Sequence, residues 1–349
     1  MMYSEILYSC GIHTWLGNSV VSHAISKGAR DNWKFTKVHP PMESVPPFSR
    51  IFSHEPVLVR DPRTQEYVVF FTHYHTTAWD GPSCNCTDGT SASGNCEAER
   101  GVSRNKTMYS YFSTAKSPFG PWSQNIVSLK SVQGTKRKLI DMNLSPILLS
   151  NDSAIAWTRW NIWSTKSNRT WRDPSSWVDL GQGPDFHNNA TWEGEDPSLW
   201  QDSKGRYHIL SHNGKRGVGG NSTYPYGDCG RHFFSETGLP GTWEMAPLPL
   251  GGCAYPRINV PFINTGYASS DRGKYGWIED EESVSYYDFY RRERPHIVFG
   301  PDPSDLAETP RMLPLALSTA VIDSPIGPGM DGFQHPQRDA SYTLIQPIV

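Results

Sequence analysis

The 349-residue chain lacks long hydrophobic runs, and only 37% of its residues are hydrophobic. No segment approaches the roughly 18 consecutive apolar residues of a transmembrane helix, so we expect no membrane span. The chain also lacks an excess of basic residues, because 32 Lys and Arg face 35 Asp and Glu, for a formal net charge of -3. Without surplus positive charge, we expect no capture of nucleic acid phosphates.

Long windows of amphipathic helical periodicity are absent as well, which argues against a helical bundle and an α/β fold. Glycine and proline are abundant instead, with 30 and 28 copies, and aromatic residues make up 12% of the chain. This composition is typical of many short strands joined by turns. The length allows a substantial core, and we predict a single domain over 1–349 with a Cys/Ser/Gly-rich loop insertion at about 76–106.

Two features point to the secretory pathway. The chain has seven Asn-x-Ser/Thr sequons, and its six cysteines form an even set, three of which (Cys84, Cys86 and Cys96) fall in the loop insertion. We therefore predict a glycoprotein with disulfide bonds that is secreted or lumenal. A zinc site that begins at Cys84 and Cys86 is the alternative, but no second Cys/His pair at ligand spacing completes it.

The N-terminal residues do not support this localisation directly. The first ten residues, MMYSEILYSC, contain neither a basic segment nor a long apolar segment, so no signal peptide is visible. Two interpretations remain open: the chain is truncated or begins at an alternative start, or the assignment to the secretory pathway is wrong.

An internal repeat organises the chain. Four segments combine a residue before proline, a short apolar run, a polar turn and, in the first three, a second apolar strand; they begin at His54-Glu55-Pro56, Ser145-Pro146, Glu195-Asp196-Pro197 and Glu293-Arg294-Pro295. A second unit, a strand followed by a tight turn and a tryptophan, recurs at Trp33, Trp122 and Trp243. Two strands from each unit make a four-stranded sheet.

Repeated four-stranded sheets indicate a β-propeller. We therefore predict an all-β fold, a five-bladed β-propeller of four-stranded antiparallel blades. The first blade is expected to be incomplete, because few residues precede its Trp33 unit. The last strand, 340–349, could close the ring against the N-terminal blade.

The residues before the prolines are predicted to form the site. Because proline restricts the preceding residue to an extended conformation, we expect Glu55, Ser145, Asp196 and Arg294 to enter the central channel at one mouth. His54, Glu195 and Glu293 are adjacent to them in the sequence. Pairs of carboxylic acids are the groups that cleave glycosidic bonds, since one protonates the leaving oxygen while the other activates water or attacks.

Two of these segments resemble a known family. Asp196-Pro-Ser-Leu-Trp resembles the Asp-Pro strand of the five-bladed propeller glycoside hydrolases related to family 43, with families 32, 62, 68, 117 and 130 as relatives, and Glu293-Arg-Pro-His-Ile-Val-Phe is similar to their Glu-x-Pro strand. The resemblance implies a glycosidase that acts on a poly- or oligosaccharide. It implies that Glu293 is the general acid and that Asp196 is either the base or a second carboxylate that tunes pKa. Glu55 stands at the corresponding position of an earlier blade, where the family has Asp.

Other polar residues complete the candidate site. His54, His212 and His232 could donate to sugar hydroxyls or bind a metal, and the alternative is that each is packed inside a strand. Arg292 and Arg294 could pair with the acids or bind an anionic sugar. The remaining candidates for substrate binding are Arg159, for which a surface position is the alternative, and Glu195.

The sequence contains no recognisable set of metal ligands, so we expect no required cofactor and leave open whether a cation such as calcium occupies the funnel. The expected partner is a carbohydrate, and the oligomeric state is not indicated. A non-catalytic propeller that binds glycan or protein is the competing interpretation. An arginine or lysine that plugs the funnel would favour binding alone.

Overall fold

The computed structural model describes residues 1–6, 19–26, 35–37, 53–74, 108–123, 127–129, 143–158, 161–183, 194–213, 230–247, 254–255, 260–263, 284–287, 289–301, 312–323 and 341–347. All six cysteines, the loop insertion at 76–106 and Arg159 lie outside these ranges, so the predictions for them remain predictions. In the described ranges, no helix has the length and apolar character needed to cross a membrane.

The described residues form antiparallel sheets whose strands are paired in chain order. The first sheet contains three strands: β1 (Met2–Ile6), β2 (Ser19–Ser26) and β3 (Phe35–Lys37). The second contains four: β4 (Ser53–Arg60), β5 (Tyr67–Tyr74), β6 (Met108–Ala115) and β7 (Val127–Ser128). The third also contains four: β8 (Ser145–Leu148), β9 (Ala154–Trp157), β10 (Asn161–Thr165) and β11 (Trp177–Gln182).

The fourth sheet completes the series of four-stranded sheets with β12 (Gly194–Gln201), β13 (Tyr207–Asn213), β14 (Arg231–Ser235) and β15 (Glu244–Met245). The rest of the chain contributes a pair, β16 (Val260–Ile263) and β17 (Val284–Tyr287), and a three-stranded sheet of β18 (Phe289–Pro301), β19 (Met312–Asp323) and β20 (Ser341–Pro347). A short 3-10 turn at Pro174–Ser176 is the helical segment of the described chain.

The two ends of the chain form three-stranded sheets in the described ranges. The first sheet has three strands where a complete blade has four, but its first strand is present, because β1 pairs with β2 and lies against β4 of the next sheet. The C-terminal strand β20 pairs with β19 and thus extends its own sheet, whereas the sequence suggested that it could close the ring against the N-terminal sheet.

The sheets pack face to face in chain order, as the side chains of β5 illustrate. Val68 and Phe70 are buried against the third sheet, whereas Val69 and Phe71 are buried against the first. Successive side chains of a strand point to opposite faces, so an unbroken apolar run is needed when both faces are covered. The same alternation recurs in β9, whose side chains pack against the second and fourth sheets.

A buried ion pair joins the second and third sheets at the β4–β5 turn. Asp61 is fully buried, and its Oδ1 accepts hydrogen bonds from the backbone N–H groups of Arg63 and Thr64, as expected for a turn residue. Its Oδ2 lies 2.6 Å from Nη2 of Arg172, which also lies 3.0 Å from Oε2 of Glu66. Asp61 therefore has a structural role in this turn.

Candidate functional site

Three of the residues before proline share an unusual backbone. Glu55 in β4, Asp196 in β12 and Arg294 in β18 have φ angles of 53°, 52° and 55°. At each position the ladder with the neighbouring strand shifts register, which is the mark of a β-bulge. Our expectation of an extended conformation at these residues is therefore wrong. The local restriction imposed by proline is outweighed by the geometry of the bulge.

This backbone has an energetic cost that points to function. A residue with a Cβ atom loses about 1–2 kcal/mol in the left-handed region. Such strain persists where the surrounding structure imposes it, and it is concentrated at functional sites. A bulge also redirects a side chain relative to the strand. The three bulges thus aim Glu55, Asp196 and Arg294 differently from the regular strand positions around them.

The fourth residue before proline, Ser145, has a different role. Strand β8 pairs with β9 without a register shift at Ser145 and Pro146. The Ser145 side chain is buried, and its Oγ accepts a hydrogen bond of 2.8 Å from the backbone N–H of Leu199 in β12. Ser145 therefore connects two sheets.

Arg294 links the other two bulge positions, Glu55 and Asp196. Its Nη2 atom lies 3.1 Å from Oε1 of Glu55, and its Nε atom lies 4.0 Å from Oδ1 of Asp196. Because Nη2 and Nε are bonded to the same carbon of a planar guanidinium, these two carboxylate oxygens are no more than about 9.5 Å apart. Residues from three sheets that are distant in the sequence thus share one site.

The two carboxylates are shielded from solvent. The side chains of Glu55 and Asp196 are 9% and 8% exposed, whereas that of Arg294 is 26% exposed. Charges interact more strongly in such poorly solvated places than in water. The guanidinium favours the ionised form of both carboxylates, and it is also the group of the three that solvent reaches most easily.

Two of the three predicted histidines lie at this site. His54 is buried, its Nε2 lies 3.0 Å from Nη2 of Arg294, and its Nδ1 lies 2.6 Å from Oγ of Ser19. Burial, followed by the nearby positive charge of Arg294, holds the pKa of His54 well below its ordinary value of 6.5. His212 in β13 places Nδ1 3.8 Å from Oδ2 of Asp196.

The third predicted histidine, His232, belongs to a separate cluster. Its ring stacks on Trp200 and on His208, and its Nε2 lies 3.0 Å from Nδ1 of His208. Burial, with a smaller effect from His208, lowers the pKa of His232 to about 4. Since Trp200 is four residues beyond Asp196 on β12, we expect this cluster to lie about 13 Å from the site along the strand. His232 packs within its sheet, as the alternative interpretation foresaw.

The remaining predicted residues are distributed as follows. Arg292 is buried, donates from Nε to Oγ1 of Thr319 at 3.1 Å, hydrogen-bonds Gln346 and lies over the ring of Tyr255. These contacts tie it to β19 and β20. The backbones of Glu195 and Glu293 pair with His212 and Ala320. The side chains of Glu195 and Glu293 lie outside the described part of the protein, so the general acid role of Glu293 remains a prediction.

Two serines of the N-terminal sheet were not identified from the sequence. Ser4 Oγ accepts a hydrogen bond of 2.7 Å from the backbone N–H of Glu55, and Ser19 contacts His54 as described above. Isolated serines in β1 and β2 give no signal of this kind. Their involvement depends on which sheets are neighbours.

The described side chains of the site do not form the ligand set of a calcium ion. In the described ranges, no group of three or more His, Cys, Asp or Glu residues is placed to hold a metal ion. Calcium needs several oxygen ligands around one point. Here a guanidinium lies next to both Glu55 and Asp196, and its positive charge opposes a cation between them. These described residues therefore do not fit a metal site.

No protein-family model and no curated protein matches the chain, but solved structures do. The catalytic domain of a Coprinopsis cinerea GH62 α-L-arabinofuranosidase matches with a TM-score of 0.49 and 9% identity over 99% of this chain and 85% of that chain. The exo-β-1,3-galactanase 1,3Gal43A from Clostridium thermocellum matches with a TM-score of 0.48 and 11% identity over 94% of this chain and 53% of that chain.

The GH43 protein BlXynB from Bacillus licheniformis matches with a TM-score of 0.45 and 12% identity over 95% of this chain. The chain spans about half the length of that protein and of the galactanase, covering 47% and 53% of them. These proteins come from the glycoside hydrolase families that the two proline-led motifs resemble. Similarity at this level does not extend to individual side chains, so the chemistry of the site has to be judged from the residues of this chain.

Proposed function

We propose that this protein is a glycoside hydrolase whose site lies in the central funnel of a five-bladed β-propeller. The observation that carries the proposal is the pair of shielded carboxylates, Glu55 and Asp196, which come from separate sheets and lie within about 9.5 Å of each other. Glycosidases cleave with carboxyl groups from the walls of one pocket, and two such groups from separate sheets meet here.

Contacts between sheets support the propeller. The first strands of successive sheets, β1, β4, β8 and β12, each contact the next one, and β12 contacts β18. Arg294 of β18 then reaches back to His54 of β4, 240 residues earlier in the chain. A set of strands that contact their sequence neighbours and also meet across the middle is expected when the strands surround a common axis.

The proposed reaction assigns different protonation states to the acids. The neighbouring Arg294 favours the ionised form of Glu55, so Glu55 suits stabilisation of positive charge on the sugar better than proton donation. Glu293, which resembles the family's general acid, protonates the glycosidic oxygen as the bond to the anomeric carbon breaks. Asp196 accepts a proton from the attacking water; in the alternative in which Asp196 orients the sugar and tunes the acid, the carboxylate of Glu55 accepts that proton.

The competing proposal, a propeller that binds glycan without cleaving it, has a specific observation in its favour. The Arg294 guanidinium lies beside both carboxylates and is more exposed than either, so an incoming ligand meets a hydrogen-bond donor before it meets an acid. A sugar hydroxyl can accept from this donor without any bond being cleaved.

One experiment separates the two proposals. Wild-type protein, Glu293→Gln and the control Glu244→Gln, which alters an exposed residue of β15, are each assayed for binding to and hydrolysis of a glycan panel. The glycosidase proposal predicts hydrolysis that is lost only in Glu293→Gln. Binding by the wild type without hydrolysis would support the competing proposal, and hydrolysis that is unchanged in Glu293→Gln would reject the acid assignment.

We also propose that the protein matures in an oxidising, glycosylating compartment. Asn151 and Asn168 begin sequons and are exposed in hairpin turns of the third sheet, whereas Asn143 is 7% exposed and its sequon precedes a proline. Peptide mapping of the protein from its native source should find glycans at Asn151 and Asn168 but not at Asn143. Unmodified asparagines together with six free thiols would contradict this proposal.

A further inference from the structure

A buried chain of hydrogen bonds leads to Arg294 from the N-terminal sheet. The Oγ atom of Ser19 in β2 lies 2.6 Å from Nδ1 of His54, and Nε2 of His54 lies 3.0 Å from Nη2 of Arg294. Both Ser19 and His54 are 1% exposed, so water does not compete for these bonds. Neither residue needs to touch a substrate to affect the site, because this series of hydrogen bonds ends on the Arg294 guanidinium.

The chemistry of the groups fixes the direction of each hydrogen bond. A guanidinium has donors and no acceptor, so Nε2 of His54 must accept. A neutral imidazole carries its one proton on the other nitrogen, and Nδ1–H therefore donates to Oγ of Ser19. The two hydrogens of Arg294 Nη2 are then directed to two acceptors, Nε2 of His54 and Oε1 of Glu55 at 3.1 Å.

We infer that Ser19 and His54 are positioning residues: a neutral His54, with its proton held on Nδ1 by Ser19, keeps the Arg294 guanidinium between Glu55 and Asp196. The consequence for turnover rests on the proposed glycosidase function. The protonation state of His54 does not, because it follows from these contacts alone.

The charges around His54 agree with a neutral ring. Among the described residues, Glu55, with Oε1 3.5 Å from Nε2, and Arg294 are charged groups that face it. Burial comes first and Arg294 second among the causes that keep the pKa of His54 far below 6.5. The approach of Glu55 to His54 is therefore not an ion pair. Both residues accept from the same guanidinium.

The arrangement explains why a histidine is needed here. Without an acceptor at the position of Nε2, one hydrogen of Nη2 loses the partner that the buried His54 supplies, and the guanidinium would rotate to find another. Such a rotation moves the positive charge relative to Glu55 and Asp196. A misplacement of about 1 Å in a catalytic site can reduce turnover about 100-fold.

The first test determines the tautomer of His54 in the wild-type protein. Long-range ¹H–¹⁵N NMR of wild-type protein reports which imidazole nitrogen carries the proton, and the His54 signals are identified by their loss in His54→Gln. We expect a single neutral tautomer protonated on Nδ1 at pH 7 and still at pH 6.5. A proton on Nε2, or an imidazolium that forms near pH 6.5, would overturn the inference.

The second test compares matched substitutions. His54→Gln retains an acceptor near the position of Nε2, whereas His54→Leu has a similar volume and no acceptor. On a glycan that the wild type cleaves, we expect turnover to fall at least about 10-fold further in His54→Leu than in His54→Gln. Ser19→Ala should weaken the preference for the Nδ1 tautomer in the same NMR experiment without abolishing it, because Arg294 still requires an acceptor at Nε2. Equal turnover in the two His54 variants would contradict the positioning role.

The two proposals can fail separately. If the tautomer is the one expected but no glycan is cleaved even by wild-type protein, the glycosidase proposal fails and the arrangement of Ser19, His54 and Arg294 stands. If glycans are cleaved but His54 carries its proton on Nε2, the positioning inference fails and the glycosidase proposal stands.

Discussion

Replacement of Arg294 by Met removes the guanidinium that links Glu55 to Asp196 and keeps most of the apolar stem. Both carboxylate side chains are shielded, at 9% and 8% exposure, so two negative charges would be left poorly solvated and within about 9.5 Å of each other. Removal of one partner of a buried ion pair costs about 3–5 kcal/mol. Because Arg294 itself is 26% exposed, we expect a smaller loss, about 2–4 kcal/mol in the free energy of unfolding at pH 7.

A double-mutant cycle in urea tests this reasoning. Glu55→Gln alone should also destabilise the protein, but in the Arg294→Met background it removes one of the uncompensated charges. The loss in the double variant should therefore be smaller than the sum of the single losses, by about 1–3 kcal/mol. Arg294→Lys serves as the control that keeps the charge and loses the fork geometry. Additive losses would refute the proposed coupling of Arg294 to Glu55. An Arg294→Met variant whose free energy of unfolding is within about 0.5 kcal/mol of wild type would refute it as well.

Two further predictions concern stability at low pH. Burial alone would raise the pKa of Asp61, but hydrogen bonds from Arg63, Thr64 and Arg172 outweigh it, and the net pKa lies below its ordinary value. The ionised Asp61 therefore stabilises the folded protein above the unfolded pKa of about 3.9, and this stabilisation is lost on acidification. Urea unfolding of Arg172→Met should therefore lose less stability between pH 5 and pH 2 than wild type, and an equal loss would argue against the pair. Since the pKa of His232 is about 4 when folded and near 6.5 when unfolded, acidification from pH 6.5 to pH 4 should destabilise wild type by about 2–3 kcal/mol through this group. In His232→Phe, the loss of stability between pH 6.5 and pH 4 should be smaller than in wild type but not zero, because the pKa of His23 is also lowered to about 4. An equal loss in the variant and in wild type would show that His232 is not held neutral in the folded protein.

The sheets could be predicted from sequence because both of their faces are covered. An apolar run such as Val68–Phe71, ended by turn residues, has few alternatives to a buried strand, and the structure divides its side chains between two cores. The position of β20 could not be predicted in the same way. Its pattern identifies a strand, but both the N-terminal sheet and the β18–β19 sheet offer an edge with which it could pair. The local sequence does not indicate which of the two edges it pairs with.

The site was only partly predictable for a related reason. The repeated residue before proline correctly identified positions that meet, since Glu55, Asp196 and Arg294 share one site, but it also included Ser145, which binds the backbone of β12. The rule for residues before proline predicted the wrong backbone, because bulges form through pairing between strands.

The histidines illustrate the same limit. His54 and His232 are each a lone histidine in a strand, and only the packing of the sheets places one on Arg294 and the other on Trp200 and His208. Local sequence around the two residues contains no information about which sheet faces them.

The most direct test of a catalytic site formed by carboxylates of separate sheets is the comparison of binding and turnover in Asp196→Asn. The substitution keeps the size and hydrogen-bonding capacity of the side chain and tolerates the positive φ, but it removes the charge. On a glycan that the wild type cleaves, the account predicts affinity within about 10-fold of wild type and turnover reduced by at least about 100-fold. Wild-type turnover in Asp196→Asn would contradict it.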